Sequence, residues 1–152
     1  ISVTRAEQPW RVAGRRVASA PPILDRAWLA VLEALHLEGP VAVGGRSAGA
    51  RVACRTARQV GAGAVVALAF PLHPPGKPAS SRAYELLDAG VPALVVQGER
   101  DPFGGPREFP AGAADLHPVP AADHSFRVPK GHDRPATIAG IATAVGDWLL
   151  AH

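Results

Sequence analysis

The chain has 152 residues, of which 47% are apolar, 19% charged and 5% aromatic. That apolar share excludes wholesale disorder, and the lack of any run of about 18 apolar residues excludes a membrane-spanning helix. Sixteen basic against 13 acidic residues leave a formal net charge of +3, but the basic residues, all Arg except Lys77 and Lys130, are scattered and form no face interleaved with aromatics, so nucleic-acid binding is not expected.

A length of this order fits one domain, residues 1–152. Cys54 is the only cysteine. It can build neither a disulfide framework nor a paired-Cys zinc site, which fits a reducing, cytoplasmic setting with no metal and no cofactor.

Pro and Gly divide the chain into pieces that alternate in type. Residues 1–5, with Ile1 and Val3, read as a short strand, and 6–21 as a loop that holds the densest basic group, Arg11, Arg15 and Arg16. Ile23, Leu24, Ala27, Trp28, Val31, Leu32 and Leu35 fall at helical spacing, and Gly39-Pro40 stops that helix. Val41–Val43 is a short strand, and residues 48–60 a helix with Arg51, Arg55 and Arg58 on one face. The unbroken apolar run Ala64–Phe70 suits a strand buried on both sides. A short helix over 82–88, a second buried strand over 92–97, a short helix over 106–113 and a weak strand over 116–119 follow. Ile138, Ile141, Ala142, Val145, Trp148 and Leu149 make a last amphipathic helix. Such alternation predicts an α/β fold with a mostly parallel sheet and helices on both faces. Its ligand site belongs in the loops beyond the carboxyl ends of the strands.

Gly45-Arg46-Ser47-Ala48-Gly49 is a G-x-S-x-G between a predicted strand and a predicted helix. At this composition about 0.06 chance matches are expected in the whole chain. In that context the pattern reads as a nucleophile elbow: a tight, strained turn carries the serine, and small neighbours avoid a clash. The N–H of Ala48, at the start of the helix, would donate to a developing oxyanion. The absence of the Lys-Ser/Thr pair rules out a phosphate-cradling P-loop.

A serine hydroxyl needs a base, and the base an orienting acid, in the chain order Ser, Asp/Glu, His for an elbow of this kind. Asp101 stands 54 residues after Ser47, just past the end of the strand over 92–97. His124 follows 23 residues later, in the loop before the last helix. Glu99 and His132 are the runners-up, and Asp123 reads as a residue that fixes the loop. Trp10, Leu72, Phe103 and Phe126 are the candidate walls of a partly apolar acyl pocket.

These motifs resemble those of the small dienelactone-hydrolase-like α/β hydrolases. More narrowly, they resemble the branch that includes the testis-expressed hydrolase-like proteins and a hydrolase-like subunit of a histone acetyltransferase complex. The resemblance rests on Val43–Arg51, on Phe70–Pro78, on Gln97-Gly98 through Phe103-Gly104, on Asp123–Phe126, and on Glu7–Arg11 with Gly14-Arg15-Arg16. It implies the α/β-hydrolase fold and a triad of Ser47, Asp101 and His124, and implies no particular substrate. Ala50 departs from the Gly frequent in that family. The family also begins with a strand, a His-Gly-rich loop that supplies a second oxyanion donor, and a helix, none of which lies in these residues. The chain starts at Ile1 and contains no Met. The expectation is therefore an N-terminally incomplete domain, or one rearranged around the gap.

The functional expectation is a serine hydrolase acting on a small acyl ester or thioester. The alternatives are an α/β-hydrolase-fold scaffold without significant catalysis and, more remotely, a chromatin- or nucleic-acid-associated module suggested by the basic charge.

Overall fold

The computed structural model describes residues 1–152. Four parallel strands, β1 (Ala42–Arg46), β2 (Ala64–Leu68), β3 (Ala93–Gly98) and β4 (Asp115–Val119), form one sheet in the order β1-β2-β3-β4. Ala42 stands opposite Ala64, Val65 opposite Ala93, and Leu94 opposite Asp115. Parallel neighbours need crossover connections. Helix α3 (Ala48–Thr56) makes the first, α4 (Ala83–Leu87) the second, and a loop with a 3-10 turn at Pro106–Glu108 the third. A single turn α1 (Pro9–Val12) and the longer α2 (Pro21–Leu35) precede the sheet, and α5 (Arg134–Ala151) follows it.

β3 is buried along its whole length and β2 along all but its last residue, which is why neither shows polar alternation. Side chains on a strand point alternately to opposite faces. Val43, Val65, Ala67, Ala93 and Val95 turn to one face and pack with Ala50, Ala53 and Cys54 of α3 and Leu86 of α4, with Trp28 and Leu32 of α2 against them. Leu94, Val96 and Val119 turn to the other face, where Ile141, Val145 and Trp148 of α5 cover them. Helices thus lie on both faces, as the sequence pattern predicts.

The arginine face of α3 is turned inward. Arg51 grips the buried Glu85 of α4 with two bonds of 2.7 and 2.6 Å, and Arg55 Nη1 adds a third at 3.0 Å. Arg55 also holds Asp25 of α2 through bonds of 2.9 and 2.6 Å. Paired bonds from a planar guanidinium to a carboxylate are among the stronger polar contacts a protein makes. Here they join α2, α3 and α4 across one side of the sheet.

Four expectations are corrected. Ile1–Arg5 forms no strand: Ile1 and Val3 are 75% and 86% exposed, and β1 is the sheet edge with no neighbour for that segment to pair with. The loop over 6–21 contains α1, started by Pro9 at its first position. The run Ala64–Phe70 leaves the sheet after Leu68, where Ala69 takes a φ of +46°. The helix expected over 106–113 is reduced to the turn Pro106–Glu108, because Pro110 and Gly112 (φ +75°) cannot continue it. The helix over 48–60 differs only at its end, where Thr56 is followed by turns to Gly61.

Candidate active site

The site is built at the carboxyl ends of the strands. Ser47 occupies the single residue between β1 and α3, with φ +55° and ψ −115°, a conformation that costs a non-glycine residue of order 1–3 kcal/mol. The glycines around it are steric necessities. A Cβ on Gly45 would lie 2.5 Å from the carbonyl carbon of Gly49, and one on Gly44 would lie 2.7 Å from Val66 O. The Ser47 N–H donates to Leu68 O at 3.0 Å, which anchors the turn to β2. The Ala48 N–H opens α3, where a helix has no carbonyl of its own to offer.

His124 Nε2 lies 2.9 Å from Ser47 Oγ, and its Nδ1 lies 2.7 Å from Asp101 Oδ2. Since an ionised carboxylate only accepts, Nδ1–H is the donor to Asp101 and Nε2 is free to accept from the serine hydroxyl. The Asp101 side chain is fully buried and His124 is one-fifth exposed. The structure thus brings together the three residues chosen from chain order, although they come from three separate loops.

Each loop is held by identifiable contacts. Asp101 Oδ1 accepts the Phe103 N–H at 2.8 Å, and Oδ2 accepts the side-chain amide of Gln97 at 3.0 Å. The His124 loop passes directly over the end of β3, so close that a Cβ on Gly98 would lie 2.4 Å from Ala122 O. Asp123 fixes that loop as expected: its Oδ1 accepts the N–H groups of Ser125 (2.8 Å) and Arg127 (2.9 Å). Burial pushes the Asp123 carboxyl up, but those two N–H groups and the charges of Arg127 and Arg100 outweigh it and hold the group below its ordinary value. Glu99, the competing acid, accepts from the Ala121 N–H at 3.2 Å and makes no bond to His124. His132, the competing base, lines a groove with His117 and Thr137 beside α5.

The four candidate pocket residues separate. The Phe103 ring lies against the His124 imidazole, with centroids 4.4 Å apart and planes tilted by 36°. Leu72 and Phe126 are buried members of the two core clusters. Trp10 donates its indole N–H to Gln8 Oε1 at 2.8 Å.

Sequence reasoning passed over Gln97. It is wholly buried, and its Nε2 is surrounded by three acceptors: Gly104 O at 2.7 Å, Asp101 Oδ2 at 3.0 Å and Phe70 O at 3.2 Å. Its Oε1 has no partner. Turning the amide over would set an oxygen against three oxygens, so the orientation is forced. A buried amide at the carboxyl end of a central strand is the signal that could have flagged it. His73 was passed over too. Its Nδ1 donates to Pro74 O (2.9 Å), its Nε2 meets Glu108 Oε2 (3.0 Å), and its N–H donates to Phe103 O (3.0 Å), tying the 71–78 loop to the acid loop. The Pro74 carbonyl and then the Glu108 carboxylate raise the His73 pKa, while the Gly105 N–H and then His73 lower that of Glu108. No group of three or more His, Cys, Asp or Glu side chains is arranged to hold a metal.

With this geometry the chain can be compared with known proteins. Residues 6–149 match the family described as the alpha/beta hydrolase domain. The chain belongs to the alpha/beta hydrolase family. No curated protein matches it. Among solved structures it is similar to the esterase domain of a Rhodothermus marinus protein, at 16% identity and a TM-score of 0.56, over 81% of this chain and 65% of that one. It is also similar to a serine hydrolase without a lid from Xanthomonas campestris, at 21% identity and a TM-score of 0.53, over 74% of this chain and 52% of that one. A third, Est1E from Butyrivibrio proteoclasticus with ferulic acid bound, has 14% identity and a TM-score of 0.63, over 88% and 69% of the two chains. At these identities the likeness shows the hydrolase fold alone. The chain spans less than two thirds of the length of the first two hydrolases. No helix is long and apolar enough to cross a membrane.

Proposed function

We propose that this chain is a serine hydrolase that cleaves a small acyl ester or thioester through an acyl-enzyme, with Ser47 as nucleophile, His124 as general base and Asp101 as orienting acid. One observation carries the reading: the unbroken hydrogen-bonded chain from Ser47 Oγ through His124 to the buried Asp101. His124 Nε2 takes the hydroxyl proton as Ser47 Oγ bonds to the acyl carbon. The resulting oxyanion accepts from the Ala48 N–H. His124 then gives its proton to the departing alkoxide or thiolate, and the C–O or C–S bond breaks. Water attacks the acyl-enzyme with His124 again as base, releasing the acid and restoring Ser47. Asp101 stays ionised throughout and stabilises the imidazolium.

The resemblance to dienelactone-hydrolase-like proteins supports the same triad and names no particular substrate. We read residues 1–152 as one hydrolase domain and, from its single buried Cys54, as one suited to a reducing compartment such as the cytoplasm. The test is hydrolysis of p-nitrophenyl acetate and of an S-acetyl thioester by the wild-type chain, Ser47→Ala and His124→Ala. The expected result is turnover by the wild type and a loss of at least about 10³-fold in both variants. A folded wild type with no turnover and no acyl adduct would favour the scaffold alternative.

A further inference from the structure

The basic group Arg11, Arg15 and Arg16 has no part in the catalytic reading, yet it lies close to the elbow. Gln8 is the connection. Its Oε1 accepts the Trp10 indole N–H, and its Nε2 lies 3.2 Å from the point a Cβ on Gly49 would occupy, two residues from Ser47. Beyond Trp10 the chain folds back. Gly14 takes a φ of +67°, its N–H donates to Arg11 O at 2.9 Å, and the Arg15 N–H donates to Trp10 O at 2.8 Å. Beside this turn lies an open, shallow concavity of about 370 Å³ lined by Glu7, Trp10, Arg11, Gly14, Arg15 and Arg16.

Three arginines and one glutamate are among the residues that line this concavity. Arg11 stands over the Trp10 ring, 5.4 Å from its centroid, and shares Glu7 at 3.5 Å. Arg15 and Arg16 take part in none of the ion pairs of the chain. Arg51 and Arg55, by contrast, are neutralised inside the fold by Glu85 and Asp25. A surplus of arginines on a backbone turn fixed beside a tryptophan suits an anion, because the planar guanidinium fork matches a carboxylate or a phosphate.

We propose that this concavity is an anion subsite beside the elbow and that it takes the carboxylate or phosphate of an acyl substrate whose reacting carbonyl lies at Ser47. This rests on the hydrolase reading for the chemistry at Ser47, but the anion binding stands apart from it. The test compares KM for matched esters in the wild type and in Arg15→Ala/Arg16→Ala. For the carboxylate, the pair is p-nitrophenyl acetate and p-nitrophenyl hemisuccinate; for the phosphate, S-acetyl-N-acetylcysteamine and acetyl-coenzyme A. The wild type should favour the anionic member of at least one pair. The double variant should reduce that preference by about fivefold or more, the scale of one lost charge contact, and 0.5 M NaCl should reduce it in the wild type as well. The pair that responds identifies the anion. A preference unchanged by the variant in both pairs overturns the proposal. If the wild type hydrolyses none of these compounds, inorganic phosphate is titrated against tryptophan emission instead. A saturable change lost in both Trp10→Phe and the arginine double variant supports the subsite, and no such change overturns it.

Discussion

The side-chain amide of Gln97 donates to the Asp101 carboxylate across 3.0 Å inside the fully buried end of β3. That bond leaves Asp101 with three donors: Gln97, the Phe103 N–H and His124 Nδ1. Together they determine where the imidazole can sit. Gln97→Met keeps the bulk and removes the donor. The expected result is a fall of about tenfold or more in kcat with little change in KM, since the residue acts on the base and not on the substrate. Gly104 O loses its donor as well, while Phe70 O keeps the Leu72 N–H, so the variant should be less stable by roughly 1–3 kcal/mol. Steady-state kinetics beside urea denaturation separate the two effects, and an unchanged kcat in a destabilised protein would leave Gln97 a purely structural role.

Glu85 is the hub of the ion network between α2, α3 and α4. Removing it leaves Arg51 without its partner and Arg55 with Asp25 alone. Glu85→Ala should cost about 3–5 kcal/mol, the scale of breaking a buried pair from one side. Asp25→Asn should cost less, because Asp25 is more exposed and Arg55 keeps Glu85. The midpoints of urea unfolding measure both, and equal midpoints in the two variants would contradict the hub assignment.

How much of this was legible from residues alone depended on whether the cause was local. The elbow could be read because its steric demand falls on Gly45 and Gly49 within five residues. The order Ser, Asp, His and the expected elements excluded His36, His73, His117 and His152, and the more polar surroundings of His132 (Lys130-Gly131-His132-Asp133) left it the runner-up to His124. The strand expected at Ile1–Arg5 failed because a strand depends on a neighbour, and nothing in those five residues says whether one is beside them. The arginines, which look merely scattered along the chain, are in part an ion network whose partners Arg51 and Glu85 are 34 residues apart. Gln97 stands in a stretch shared with the family but has no role of its own there, and its importance appears only when Phe70, Asp101 and Gly104 converge on it.

Cys54 provides a probe of the core. Its burial, and next to it the Glu85 charge, push the thiol from 9.0 up to about 12. The folded protein should therefore resist a disulfide reagent at pH 8 and react only as it unfolds in urea. Because the unfolded chain releases the thiol proton first, stability should decline as pH rises from about 9 towards 12. Rapid labelling of the native protein would contradict this burial.

The contact between His73 and Glu108 sets a pH window. The raised His73 pKa contributes stability that is complete below its ordinary value of 6.5 and is lost as pH rises through the raised value. The lowered Glu108 pKa contributes stability that is present above 4.5 and lost as pH falls through the lowered value. Both hold together between 4.5 and 6.5. Thermal denaturation of the wild type and Glu108→Gln should differ most in that interval and converge at higher pH. The difference should be small, since Glu108 is half exposed and screened by solvent. A gap that widens above pH 8 would contradict it.

The central claim is that His124 and Asp101 make Ser47 a nucleophile. Its most direct measurement is intact-mass and peptide analysis after treatment with a fluorophosphonate. The account predicts a single phosphonyl adduct on the peptide containing Gly45–Gly49, absent in Ser47→Ala and formed far more slowly in His124→Ala. A folded wild-type protein that acquires no adduct, or acquires it on another residue, would contradict the account.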